Sequence, residues 1–141
     1  MTQTKTRYRK PAIVIGRLEH EKLTRLAEGL VDRDPDLAED LLGELDRARL
    51  VDDTRLRADA VRMGSTLNYT TDSGEARTVT LVYPGEADIE TGKISILTPI
   101  GTALIGLSPG QSMTWQARDG RMQRLTVQSV GAPGQAFQKA D

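Results

Sequence analysis

The chain reads as an α+β protein: a short N-terminal antiparallel helical hairpin, followed by a domain of antiparallel strands and one short helix. Two helical stripes and a change of period carry this reading. Leu23, Leu26, Ala27 and Leu30 keep the i, i+3, i+4, i+7 spacing of a one-sided helix, and Leu37, Leu41, Leu45 and Ala48 repeat it. From Leu67 onward, short β-branched and apolar runs alternate with turns containing Gly and Asp, the pattern of strands. Among those runs, Gly92 to Gly110 (GKISILTPIGTALIGLSPG) holds a strand, a capped helix and a turn.

Met1 to Pro11 is polar, with Lys5, Arg7, Arg9 and Lys10 close together, and reads as a flexible basic tail; docking to nucleic acid or to a polymerase is its functional alternative. Ile13, Val14 and Ile15 form a brief strand or plug one end of the core, and Gly16 releases the chain into a helix over about Leu18 to Leu30. Asp34 offers a side-chain cap, Pro35 fits the first helical position, and the second stripe carries that helix to about Leu50. Two helices joined by so short a loop bury their apolar faces against each other or the neighbouring domain.

Asp52 to Arg62 is charged and lacks apolar periodicity, which marks a connector. Beyond it, Leu67 to Thr70 is strand-like, Asp72-Ser73-Gly74-Glu75 is a turn, and Arg77 to Tyr83 returns as a second strand that Pro84-Gly85 stops. Ile94 to Leu97 is a buried strand, Thr98 caps the helix that Pro99 opens, and Ile100, Ala103 and Leu104 give that helix one apolar stripe. Gly106 ends it and Pro109-Gly110 turns the chain. Two further strands, Ser112 to Ala117 and Met122 to Val130, flank the turn Arg118-Asp119-Gly120-Arg121. The expected organisation is a tail over 1–11, the hairpin over 12–52, the connector over 53–60, the sheet domain over 61–130 and a loose tail over 131–141.

Composition narrows the function. With 141 residues and 38% hydrophobic content the chain can bury one compact core and a small appended element. A net charge of −1 argues against bulk attraction to nucleic acid, so contact with it is expected to be weak or indirect. There is no cysteine, which excludes disulfides, thiolate metal sites and cysteine nucleophiles. No apolar run approaches the roughly 18 residues of a membrane span, and a cytoplasmic monomer is expected. The single histidine, His20, sits between Glu19 and Glu21 on a helix and reads as a solvated residue rather than a base or ligand. Gly101 and Gly106 lack the lysine and spacing of a phosphate loop. No catalytic group, metal or cofactor is expected.

The order of pieces within Gly92 to Gly110 resembles the C-terminal domain of the GreA/GreB transcription elongation factors, in which a strand, a Ser/Thr-Pro-Ile step and an Ala-Leu-Ile-Gly helix end follow one another. Glu44-Leu45-Asp46-Arg47-Ala48, Thr80 to Pro84 and Leu104 to Gly110 are similar to the regulators of nucleoside diphosphate kinase, a shorter group in the same superfamily. The resemblance covers roughly residues 12 to 130. It implies an FKBP-like fold for residues 61–130, a coiled-coil hairpin, and a transcription regulator that is not itself an enzyme. The implied partner is RNA polymerase, bound at the rim of its secondary channel on the largest subunit. By matching motif, the contact falls on Ser95, Thr98, Pro99 and Ile100, with the acidic loop of Glu86, Asp88 and Glu90 beside it.

The hairpin tip is acidic, with Asp32, Asp34, Asp36, Glu39 and Asp40. In Gre factors two tip acids help hold a metal ion that drives transcript cleavage, a use suited to hard Mg²⁺ and carboxylate oxygen. Asp36-Leu37-Ala38-Glu39 repeats the acid spacing, but Asp40-Leu41 stands where Gre tips carry Asn-Ala, and acids at a helix start also complement its dipole. Thirteen residues at about 1.5 Å each give an arm of roughly 20 Å, several turns shorter than the Gre coiled coil. The reading is therefore a non-cleaving competitor at the channel, with a cleavage factor and a module for another protein, such as the kinase, as alternatives. An FKBP-type prolyl isomerase would have to build its pocket from Tyr69, Tyr83 and Trp115.

Overall fold

In the computed structural model, residues 10–117 and 119–131 are described. Lys5, Arg7 and Arg9 of the basic tail, Arg118 of the last turn and the C-terminal tail from residue 132 lie outside the described residues. The elements run β1 (Val14–Gly16), α1 (Arg17–Leu30), α2 (Pro35–Arg47), β2 (Arg49–Val51), β3 (Thr66–Thr71), β4 (Ala76–Val82), β5 (Lys93–Ser95), α3 (Pro99–Leu104), β6 (Ser112–Gln116) and β7 (Met122–Val130).

The hairpin forms as its stripes predict, with Leu23, Ala27, Leu41 and Leu45 buried in it. Asp34 caps α2 through its carboxylate, which accepts from the Leu37 N–H at 3.2 Å, and Pro35 opens the helix. The second helix, however, stops at Arg47 rather than near Leu50. Ala48 turns extended and the Arg49 N–H donates to the Ile13 carbonyl at 2.9 Å, so that β2 pairs in parallel with β1. Helical spacing at Ala48 and strand pairing at Leu50 were both compatible with the apolar pattern, and the second backbone partner decided between them.

The charged connector is bound on both sides. Gly16, at the N-cap of α1, has no side chain to offer, and the Asp53 carboxylate fills that role by accepting from the Leu18 N–H at 2.7 Å. A Cβ on Gly16 would overlap that carboxylate. Glu19, one turn into α1, accepts from the Met63 N–H at 3.1 Å and ties the helix to the chain entering β3.

The second sheet has the order β5-β4-β3-β7-β6. All its pairs are antiparallel except β4 with β5, which run parallel. The sheet is therefore mixed, where an antiparallel one was expected, because residues 83–92 double back alongside β4 so that Lys93 starts β5 level with Thr80. A register shift at Asn68/Tyr69 between β3 and β7 bends it. Helix α3 closes the curl, and Leu104, Leu107, Leu67, Leu81 and Leu125 share one core with the hairpin leucines. At the hairpin tip, Leu30, Leu37 and Ala38 pack on Leu97 of the β5–α3 link, so the hairpin lies against the sheet domain along its length.

Candidate partner-binding groove

The segment that leads from β5 into α3 is held by its own polar groups. The Ser95 hydroxyl accepts from the Leu97 N–H at 2.9 Å. The Thr98 hydroxyl donates to the Ser95 carbonyl at 2.7 Å and accepts from the Gly101 N–H at 3.0 Å, so a single oxygen closes the turn and caps the helix. Thr102 adds a buried hydrogen bond to the Ile96 carbonyl at 3.0 Å. Gly101 sits so close to the strand that a Cβ there would overlap the Ser95 carbonyl oxygen. At the far end of α3, Gly106 takes φ +82° against Ile13 and Val14.

With Ser95 and Thr98 engaged locally, the surface this segment offers is apolar. It is one wall of an open groove of about 590 Å³, lined by Ile89, Ile94, Ser95, Thr98, Pro99, Ile100 and Trp115. Trp115 belongs to β6 and Ile94 to β5, so the groove opens where the curled sheet brings its two edges towards each other. All four motif residues, Ser95, Thr98, Pro99 and Ile100, are half-buried there. Ile89, almost fully exposed, stands on the rim with Lys93 and Asp119. Sequence reasoning passed over Ile89; its only signal was an isolated aliphatic residue in the run Ala87-Asp88-Ile89-Glu90. Glu86, Asp88 and Glu90 are exposed, and the Asp88 carboxylate is used in the turn, accepting from the Glu90 N–H at 3.1 Å.

An aromatic pocket of the isomerase kind does not form from the three candidate rings. Tyr69 is buried in the core and Tyr83 lies half-buried outside the groove, where burial raises both phenol pKa values, so Trp115 is the one of the three on the groove wall.

The tip acids Asp32, Asp34, Asp36 and Glu39 are all exposed, and Asp34 is spent on the α2 cap. Among the described residues no group of three or more His, Asp or Glu side chains converges as a metal site. Farther along α2, Glu44 is buried; the sequence marks it only as the first residue of the Glu44–Ala48 motif that carries the family resemblance. It receives Lys10 at 2.8 Å and Arg47 at 2.8 Å, while Arg47 also donates to the Pro11 carbonyl at 2.6 Å. His20 is half-buried rather than solvated, its Nε2 3.0 Å from the Leu45 carbonyl. Glu44 to Ala48 thus fastens the incoming chain and α1 to α2.

Two family models match the chain: "Transcription elongation factor, GreA/GreB, C-term" over residues 56–132, and "Rnk N-terminus" over residues 11–51. The regulator of nucleoside diphosphate kinase of Escherichia coli K12 is 34% identical over 119 residues, covering 84% of this chain and 88% of that protein. The transcription elongation factor GreA of Rhodospirillum rubrum is 41% identical over 75 residues, covering 52% of this chain and 48% of GreA. Among solved structures, a GreA/GreB elongation factor from Nitrosomonas europaea superposes with a TM-score of 0.68 at 37% identity, over 84% of this chain and 98% of that one. The groove segment, residues 93–100, lies inside the region matched by the GreA/GreB model, and the hairpin inside that matched by the Rnk model. The chain belongs to the GreA/GreB family of transcription factors and carries the N-terminal hairpin of the regulators of nucleoside diphosphate kinase.

Proposed function

We propose that the protein is a transcription regulator that binds RNA polymerase at the rim of the secondary channel, competes there with Gre factors, and does not stimulate transcript cleavage. The observation that carries this is the apolar groove in front of α3, whose wall is the Ser95–Ile100 segment. Pro99 and Ile100 would bury against the polymerase, while Ser95 and Thr98 fix the turn that presents them. An FKBP-like reading of residues 61–130 and a coiled-coil reading of the hairpin belong to the same proposal. Absence of cleavage is argued from the hairpin: α1 has 14 residues, about 21 Å of helix, and its tip packs on Leu97 instead of standing free.

Binding of the purified chain to core RNA polymerase, with and without excess GreA, tests this, with transcript cleavage on a stalled complex read in the same tube. Binding displaced by GreA without added cleavage is expected. Mg²⁺-dependent cleavage lost on changing Asp36 or Glu39 would overturn the non-cleaving part, and a folded Pro99→Asp variant with undiminished affinity would remove the groove from the contact. The name of the Escherichia coli relative favours one second reading, a module acting on nucleoside diphosphate kinase. Failure to bind polymerase together with capture of that kinase would support it.

A further inference from the structure

A second cleft, of about 340 Å³, lies between α2 and β6 and is floored by Pro99, Thr102 and Ala103 of α3, which packs against both. Met113, Thr114, Trp115 and Gln116 all line it in succession. Alternate residues of a strand face opposite sides, so four consecutive ones line a cleft only when the strand turns its edge towards it. The sheet order places β6 at an edge. Its hydrogen bonds to β7 fix which groups are free. The Ala117 N–H donates to the Arg121 carbonyl at 2.9 Å, and the Val127 N–H donates to the Gln111 carbonyl at 3.0 Å. In an antiparallel ladder the bonded residues of β6 are then the odd-numbered ones, and the N–H and C=O groups of Thr114 and Gln116 point away from β7. Among the described residues, nothing else bonds them.

The opposite edge differs. On β5, the Lys93 N–H and C=O both pair with Asp88 at 2.9 Å, which closes that edge. Exposed edges are commonly protected by a lysine, a proline, a bulge or a covering helix; β6, Ser-Met-Thr-Trp-Gln, has none of the first three, and α3 packs against it without bonding the outward groups of Thr114 and Gln116.

Across the cleft stands α2. Gly43 contributes no side chain, and nothing lies within 4 Å of where its Cβ would be. Glu39 and Asp40 line the same wall, and neither forms an ion pair among the described residues; Lys10 also lines the cleft and attracts Asp40, but its ammonium is held by Glu44, which takes Arg47 as well. We propose that this cleft docks an extended, basic polypeptide segment of a partner protein, which adds to β6 as a further strand and meets Glu39 and Asp40 with its cationic side chains. A second copy of this chain would offer its own β6, which carries no basic residue, and would set one acidic wall against another. The cleft borders the polymerase groove at Pro99 and Trp115 but rests on none of that reading.

The test uses the full chain and a fluorescent heptapeptide of alternating lysine and valine, followed by anisotropy and by amide hydrogen exchange. The expected result is saturable binding with new protection at Thr114 and Gln116. Methylating alternate backbone nitrogens of the peptide, or exchanging lysine for glutamate, is expected to weaken binding at least tenfold. Asp40→Lys should do the same, and so should Thr114→Pro, which deletes an outward N–H that the β6–β7 ladder does not use. The N-methylated peptide keeps the test valid if the proline variant fails to fold. Equal binding of the glutamate peptide or of the N-methylated peptide would overturn the proposal. So would Thr114 and Gln116 amides already protected in the free chain, whether by the chain itself or by self-association seen in sedimentation.

Discussion

Gly101 and Glu19 illustrate how single residues in this protein are constrained by groups outside their own helix. Gly101 lies in a helix, where alanine would ordinarily be preferred, yet the Ser95 carbonyl occupies the space its Cβ would need. Gly101→Ala is expected to cost about 1–3 kcal/mol, read as a lower urea midpoint, because backbone rather than a flexible side chain must move. Glu19 shows the reverse case, a charge kept where it is not favoured. Burial raises its pKa above 4.5, opposed by the Met63 N–H and by Arg62, while Asp53 adds to the rise and Lys22 lowers it slightly. One carboxylate oxygen of Glu19 and the Nε of Arg62 are buried without hydrogen-bond partners among the described residues. A carboxylate whose folded pKa is raised binds more protons folded than unfolded, so its contribution to stability falls as pH rises from about 4.5 through the folded value. Glu19→Gln removes that titration. The difference in melting temperature between parent and variant is expected to move in favour of the glutamine protein as pH is raised from 4 to 7, and a constant difference would show that Glu19 does not titrate this way.

At the scale of elements, what could be read from sequence was whatever is decided locally. Thr98 and Asp34 cap the helices they precede, Pro35 and Pro99 open them, and Gly106 ends α3, all within one turn of chain. The groove segment was legible for the same reason. What was not legible depends on partners distant in sequence: β2 forms because Ile13 and Val14 lie beside it, β5 runs parallel because of its return path, and Trp115 joins Ile94 because the sheet curls. The cap of α1 belongs to this second group, since Asp53 reaches it from 35 positions on from Leu18. Asp53→Ala is expected to destabilise by about 1 kcal/mol, while Asp53→Asn, which keeps an acceptor oxygen, recovers most of the loss. Thr98→Ala should cost a similar amount by removing a cap, but its second bond, to the Ser95 carbonyl, also shapes the groove. Thr98→Ser is therefore expected to restore both stability and partner binding, and chemical denaturation alongside polymerase affinity separates the two effects.

For the whole molecule, the governing feature is that hairpin and sheet are not independently placed. Leu41 and Leu45 of α2 share a core with α3 and the sheet, and Leu97 fills the gap beneath Leu30, Leu37 and Ala38 at the tip. A projecting arm would deliver its acids to a distant site, whereas here two of them, Glu39 and Asp40, line a cleft together with Pro99. If the proposed function holds, the hairpin acts by bulk at the place where the groove binds, and its charge is secondary. Replacing Asp36 and Glu39 together by asparagine and glutamine, which keeps size and removes charge, is then expected to leave competition with GreA within about twofold. Loosening the tip should matter more. Leu97→Ala deletes the side chain under the tip at a half-buried site, with an expected cost of about 2 kcal/mol, the low end for such truncations. A folded Leu97→Ala protein should retain binding through the groove but compete less well with GreA, because the hairpin is no longer held over the same rim. Competition unchanged by the tip truncation but abolished by the double charge replacement would mean that the acids, and not the packed hairpin, do the work.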